Sequence, residues 1–118
     1  MRVLLVDDSS TMRRIQKTQL SNLGINDVVE AANGKDALVT LREHMPIQVI
    51  LLDWNMPVMD GMAFLKAVRE DGAFNDVKII MCTSEAEKSR VVDAMKAGAA
   101  NYIIKPFKID TLKSKLGL

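Results

Sequence analysis

The chain has 118 residues, 48% of them hydrophobic, and its 16 Lys and Arg against 15 Asp and Glu leave a net charge of +1. That length suits a single domain, 1–118, that buries about two-thirds of its unfolded surface without disulfides or metal staples. No basic arm or acidic tail points to nucleic acid, no apolar run approaches the roughly 20 residues that span a bilayer, and the first strand follows Met1 with no room for a signal peptide, so the expected location is cytoplasmic.

The first run, Val3-Leu4-Leu5-Val6, is short and branched, as in a strand buried on both faces, and it ends in Asp7-Asp8. Ser9-Ser10-Thr11 then offers N-cap side chains. Met12, Ile15, Leu20 and Leu23 recur at helical spacing up to Gly24, which supplies the C-terminal turn. Asp27 to Ala31 reads as a second strand, and Asn33-Gly34 punctuates the chain before Ala37, Leu38 and Leu41 open a second helix. Gln48 to Asp53 makes a third strand, apolar until its terminal acid. Asn55 to Met59 is a loop around Pro57, and Asp60 caps a helix carrying Phe64, Leu65 and Val68. Val77 to Cys82 is the fourth strand; its lone Cys82 behaves as a small buried hydrophobe and has no disulfide partner. Glu85 to Ala97 follows as a helix with Val91, Val92 and Met95 on its inner face, closed by Gly98. Asn101 to Ile104 is a fifth, shorter strand before Lys105-Pro106, and a last helix runs from about Asp110.

Five strands alternating with five helices, without a linker or an internal repeat, predict an α/β fold with a parallel sheet covered on both faces. Right-handed crossovers place every strand-to-helix loop at one edge. Of the two common doubly wound orders, 2-1-3-4-5 suits five strands better than the six-stranded dinucleotide order.

The residues that leave the strands carry the chemistry. Strand one delivers Asp7 and Asp8, strand three Asp53, strand four Thr83 and strand five Lys105. Strands one and three flank the switch point of that order, where open sheets bind ligands. Carboxylates so close resist ionising together and call for a cation. An all-oxygen set suits Mg²⁺, and neither a Cys/His cluster nor an EF-hand spacing suggests Zn²⁺ or Ca²⁺. Three carboxylates, one Mg²⁺ and the Lys105 ammonium sum to zero charge. A phosphoryl group adding roughly −1.5 to −2 is accommodated when its oxygens meet the metal, the ammonium and the Thr83 hydroxyl. An Asp carboxylate is a competent nucleophile for such transfer, which needs positioning and charge neutralisation more than acid/base machinery. Asp53, alone on the middle strand, is the candidate acceptor, with Asp7 and Asp8 as metal ligands. Taken singly, each residue has a plainer reading: Asp7 as a turn residue, Thr83-Ser84 as a helix cap, Lys105 as a solvated loop lysine. Their joint occurrence after four of the five strands favours a site.

Val6-Asp7-Asp8-Ser9, Asp53-Trp54-Asn55-Met56-Pro57, Met59-Asp60-Gly61, Thr83-Ser84 and Lys105-Pro106-Phe107 together resemble the receiver domain of two-component response regulators. The resemblance covers the whole chain. Trp54-Asn55, Glu85 two residues past Thr83 and Tyr102 three before Lys105 bring it nearest the single-domain chemotaxis regulators of the CheY type, whose flavodoxin-like sheet has the 2-1-3-4-5 order. It implies that Asp53 accepts a phosphoryl group from a phosphohistidine on a sensor histidine kinase (CheA-like). Mg²⁺ is then held by Asp8, Asp53 and the Asn55 backbone carbonyl, with Asp7 acting through water. Thr83 and Lys105 bind the phosphoryl oxygens, a small Ser84 leaves the site open, and Asn55 and Glu85 tune hydrolysis of the acyl phosphate. It also implies a cis Lys105-Pro106 bond, and a switch in which Thr83 moves toward the phosphoryl group and Tyr102 swings inward.

The expected target is a flagellar motor switch protein (FliM-like) or another protein, met by a monomer with no nucleic acid or membrane involved. Residues 86–118 hold seven Lys or Arg and three Asp or Glu, which suits an acidic or amphipathic peptide, although a solvated helical face carries such charges too. Two other readings stay open: a receiver excised from a longer regulator or phosphorelay, and a Mg²⁺-dependent phosphohydrolase. Gly34-Lys35-Asp36 is no phosphate loop, since Val29 stands where its first glycine belongs. His44, the one histidine, reads as a helix C-cap.

Overall fold

Strands β1 (Arg2–Val6), β2 (Asp27–Ala31), β3 (Val49–Asp53), β4 (Lys78–Thr83) and β5 (Asn101–Ile104) form one parallel sheet in the order β2-β1-β3-β4-β5. This computed structural model describes residues 1–118, and its fold class and strand order are those expected. Helices α1 (Ser10–Asn22), α2 (Gly34–Glu43), α3 (Gly61–Glu70) and α4 (Val91–Lys96) connect the strands, and α5 (Ile109–Leu116) follows the last. Three helices start on side-chain caps, with Ser9, Asn33 and Asp60 accepting from the backbone N–H groups of Met12, Asp36 and Ala63; Ser9 and Asp60 are the anticipated ones, and Asn33 caps α2 where the sequence predicts only a break in the chain. His44 is the C-cap of α2.

Alternating residues of the central strands feed two cores. Leu4, Val6, Ile50, Leu52, Ile79 and Met81 pack with Ala37 and Leu41 of α2, Phe64, Leu65 and Val68 of α3, and Ala94 of α4. On the opposite face Val3, Leu5, Val49, Leu51, Ile80, Cys82 and Ile103 meet Leu20 of α1 and Leu112 and Leu116 of α5. The period-two alternation therefore divides the helices three to one face and two to the other. Cys82 is fully buried, and burial pushes its thiol up to about 12, as fits an inert core residue.

Two helix faces differ from expectation. Ile15 is 47% exposed and Gln16 is buried in its place. Leu20 anchors α1 and shares a face with the residue four before it, whereas the residue five before it turns outward. In the fourth crossover Val92 and Met95 are 60% and 42% exposed, and Val91 and Ala94 face the core. The cause is a 3-10 segment over Glu85–Arg90. With three residues per turn rather than 3.6 it delays the α-helix to Val91, and six helical residues bury only a narrow i, i+3 stripe. β4 also begins and ends one residue later than the apolar run, because Thr83 pairs with Ile104 and continues the ladder.

Candidate functional site

Register brings the acids level. Val6 pairs with Leu52, so Asp7 and Asp53 leave the sheet side by side; Asp53 lies opposite Cys82, one residue before Thr83, and Thr83 lies opposite Ile104, one residue before Lys105. One carboxylate oxygen each from Asp7, Asp8 and Asp53 lies within 4.8 Å of the others. Asp7 and Asp53 are buried and Asp8 is exposed, so the cluster opens to solvent on the Asp8 side. The loop after β3 is pressed against the acceptor strand: Gly61 donates its N–H to the Trp54 carbonyl at 2.9 Å, and a Cβ there would stand 2.3 Å from the Asp53 carbonyl oxygen. Within that loop Val58 takes φ +69°, a left-handed conformation costly for a β-branched residue, under a tight Met59 N–H to Pro57 carbonyl bond of 2.7 Å.

Lys105 reaches across the edge from β5. Its ammonium donates to Asp53 Oδ1 at 2.7 Å and lies 3.8 Å from Asp7 Oδ2. Burial works against its charge, but the hydrogen bond to Asp53 and the carboxylates of Asp53 and Asp7 outweigh burial and raise its pKa. Lys105–Pro106 is cis, as the resemblance implies, and so is Met45–Pro46.

Asp7 shows what the cluster lacks. Burial raises its pKa, the Ser9 backbone N–H opposes that at 2.9 Å on Oδ1, and the charge of Asp53 raises it again. Its Oδ2 is buried without a hydrogen-bond partner. A buried, unpartnered carboxylate oxygen beside two further carboxylates fits a hard divalent cation bound through oxygen, and Mg²⁺ takes one or two carboxylates with water completing its shell.

The remaining expected residues lie on β4 and β5 and in the loops that follow β3 and β4. Thr83 is fully buried, and its hydroxyl donates to the Ser84 carbonyl at 2.9 Å. Tyr102 is half-buried on the edge strand β5, with the Lys115 ammonium 4.6 Å from its ring centroid. Asn55 donates its side-chain amide to a carboxylate, but that carboxylate belongs to Glu87 and not to Glu85. Glu85 is exposed, whereas Glu87 also accepts from the N–H and hydroxyl of Ser84 at 3.1 and 3.0 Å. Sequence reasoning missed Glu87, yet Ser84-x-x-Glu87 is the capping-box spacing that could have flagged it. It also missed Arg90, whose guanidinium stacks 4.3 Å from the centre of the buried Trp54 ring.

A family model of the response regulator receiver domain matches residues 3–117. The chain is 50% identical over 116 residues to the chemotaxis protein CheY1 of Helicobacter pylori, covering 98% of this chain and 94% of that protein. It is 48% identical over 116 residues to the chemotaxis protein CheY homolog of Campylobacter jejuni, covering 98% and 89%. Among solved structures, the chemotaxis protein CheY4 of Vibrio cholerae superposes with a TM-score of 0.88 at 35% identity, over 98% of this chain and 95% of that one. A two-component system response regulator/GGDEF domain protein superposes with a TM-score of 0.91 at 30% identity, and there the chain spans 48% of the longer polypeptide.

Proposed function

We propose that this chain, which belongs to the response regulator receiver domain family, is a phosphorylation-switched signalling module of a two-component system, residues 1–118 forming one receiver. Asp53 accepts the phosphoryl group from a phosphohistidine of a sensor kinase: the P–N bond to the histidine breaks as a P–O bond to an Asp53 carboxylate oxygen forms. Lys105 already sits on the acceptor carboxylate, donating to Oδ1 at 2.7 Å. Asp8, Asp53 and the Asn55 backbone carbonyl would hold Mg²⁺, with Asp7 beside them, and the ion when bound would supply positive charge to neutralise the transferring group. Lys105 and Thr83 take the phosphoryl oxygens, the lysine by charge and the threonine by its hydroxyl once it leaves the Ser84 carbonyl.

The observation that carries this reading is the unpartnered Asp7 Oδ2 beside the Lys105–Asp53 pair, a site short of positive charge at the edge where the sheet delivers its acids. The module acts on its own aspartate and on protein partners rather than turning over a separate substrate. Relatives that are chemotaxis proteins support a chemotaxis role, and on that reading the chain is a cytoplasmic monomer that receives phosphate from a CheA-like kinase and signals to a FliM-like motor switch protein. The match to part of a longer GGDEF-domain regulator supports the second reading, a receiver excised from a larger protein. Binding of a motor switch peptide separates the two: tighter binding after phosphorylation supports the chemotaxis reading, and equal affinity in both states removes it.

The primary test adds Mg²⁺ and acetyl phosphate and looks for a hydroxylamine-labile modification. The expected result is labelling of the parent, none of Asp53→Asn, and loss on chelation. Equal labelling of Asp53→Asn, or labelling that survives chelation, rules the site out.

A further inference from the structure

We propose that Glu87 is a latch that holds the turn after β4 to the loop after β3 in the resting arrangement, and thereby sets how readily Asp53 is phosphorylated. The inference rests on the reading of Asp53 as phosphoacceptor.

One carboxylate joins both loops that frame the site. Glu87 Oε1 accepts from the Ser84 N–H at 3.1 Å and the Ser84 hydroxyl at 3.0 Å, while Oε2 accepts from the Asn55 side-chain amide. Ser84 directly follows Thr83, and Asn55 lies two residues past Asp53. The side chain forms no ion pair, so these three donors are what balance its charge, and charge-assisted bonds are roughly twice as strong as neutral ones. Glu85 has no such role, being exposed and without a side-chain hydrogen bond.

The latch bears on the switch through Thr83. Its hydroxyl now donates to the Ser84 carbonyl, and reaching a phosphoryl oxygen on Asp53 requires giving up that bond to Ser84. Glu87 grips the same residue by its N–H and hydroxyl, and anchors it to the Asn55 loop. The chain therefore has a latched resting form and an open form, and phosphoryl transfer draws on the open fraction. Releasing the latch raises that fraction, and the observed rate rises with it.

The test compares parent, Glu87→Gln and Glu87→Ala with Mg²⁺ and acetyl phosphate, reading the fluorescence of the single tryptophan, Trp54, next to Asp53. The latch predicts phosphorylation faster by roughly three- to tenfold in both variants, and hydrogen exchange of the Ser84 amide faster by about tenfold in Glu87→Ala. Repeating the rates in 1 M salt, where the Debye length is about 3 Å, removes simple repulsion between Glu87 and the anionic donor. Acceleration that persists supports the latch; acceleration that vanishes overturns it. Rates within about twofold of the parent overturn it as well, with or without faster Ser84 exchange. Failure of the parent itself to become phosphorylated on Asp53 would instead sink the underlying functional reading, and the regulatory role of Glu87 with it.

Discussion

Lys105, at the end of the edge strand, donates a 2.7 Å hydrogen bond to Asp53 at the end of the central one, with side chains only 19% and 10% exposed. Removing one partner of a largely buried pair leaves the other uncompensated. Lys105→Met, which keeps the aliphatic stem, should lose about 2–4 kcal/mol of stability at pH 7 without Mg²⁺. The raised pKa of Lys105 fixes the pH dependence. Its contribution is complete below the ordinary lysine value and is lost only as pH rises through the higher folded value. Urea melts from neutral to alkaline pH should show a constant gap between parent and variant that closes only above about pH 10. Equal midpoints at pH 7 would show that the pair contributes nothing.

Asp7 has the opposite sign. Its pKa is raised in the folded chain, so across the interval above the ordinary carboxylate value the native state holds more protons than the unfolded one, and stability falls as pH rises. Without metal, Asp7→Asn should stabilise the protein at pH 7 and by progressively less as pH falls through the raised value. A cation that binds only the native state stabilises it by mass action. Mg²⁺ should therefore raise the parent's Tm by several degrees and that of Asp7→Asn by much less. Thermal melts with and without Mg²⁺ check both; an unstabilised variant, or equal Mg²⁺ shifts, would contradict the strained-carboxylate account.

These residues were legible because each ends or directly follows a strand, and the strands were legible because β1 and β3 are buried on both faces and read as unbroken apolar runs. Strand order and register then fix where their terminal side chains stand. What stayed hidden depends on rotation about a helix axis or on partners distant in sequence. The inward turn of Gln16 and the outward turn of Val92 and Met95 follow from where neighbouring segments start, which apolar spacing alone does not set. Arg69 donates to the carbonyls of Gly98, Phe74 and Val77, tying α3 to two turns, with nothing in the local sequence to announce it. Glu87 is the intermediate case: its capping-box spacing is local, but its reach to Asn55 spans 32 residues.

Gly61 is fixed by space rather than by φ. A methyl group there would sit 2.3 Å from the Asp53 carbonyl oxygen and 3.1 Å from Trp54 Cα, both backbone atoms that cannot swing aside. Gly61→Ala should push α3 off the end of β3, lowering stability by about 3 kcal/mol or more. The displaced Asp53 and Asn55 should also weaken Mg²⁺ binding. Urea melts and a Mg²⁺ titration followed by Trp54 fluorescence measure the two effects; parent-like stability would mean that the loop relaxes at little cost.

Tyr102 separates output from chemistry. Its ring is half-buried on β5, opposite Met81 and under the Lys115 ammonium at 4.6 Å, and it makes no hydrogen bond to Asp53. Tyr102→Ala should keep the phosphorylation rate within about twofold while abolishing the gain in affinity for a motor switch peptide, a coupling typically worth 5–150-fold. Tyr102→Phe should retain most of the gain, because the proposed switch uses the position of the ring and not its hydroxyl. Lys115→Gln removes the cation–π contact that holds the ring where it stands in this structure, a contact of about 0.5–1 kcal/mol at exposed sites, and should raise the affinity of the unphosphorylated protein by roughly two- to fivefold. Peptide titrations of both states decide the matter. Full coupling in Tyr102→Ala would place the switch elsewhere on the face, and an unchanged resting affinity in Lys115→Gln would show that the ammonium does not hold the ring.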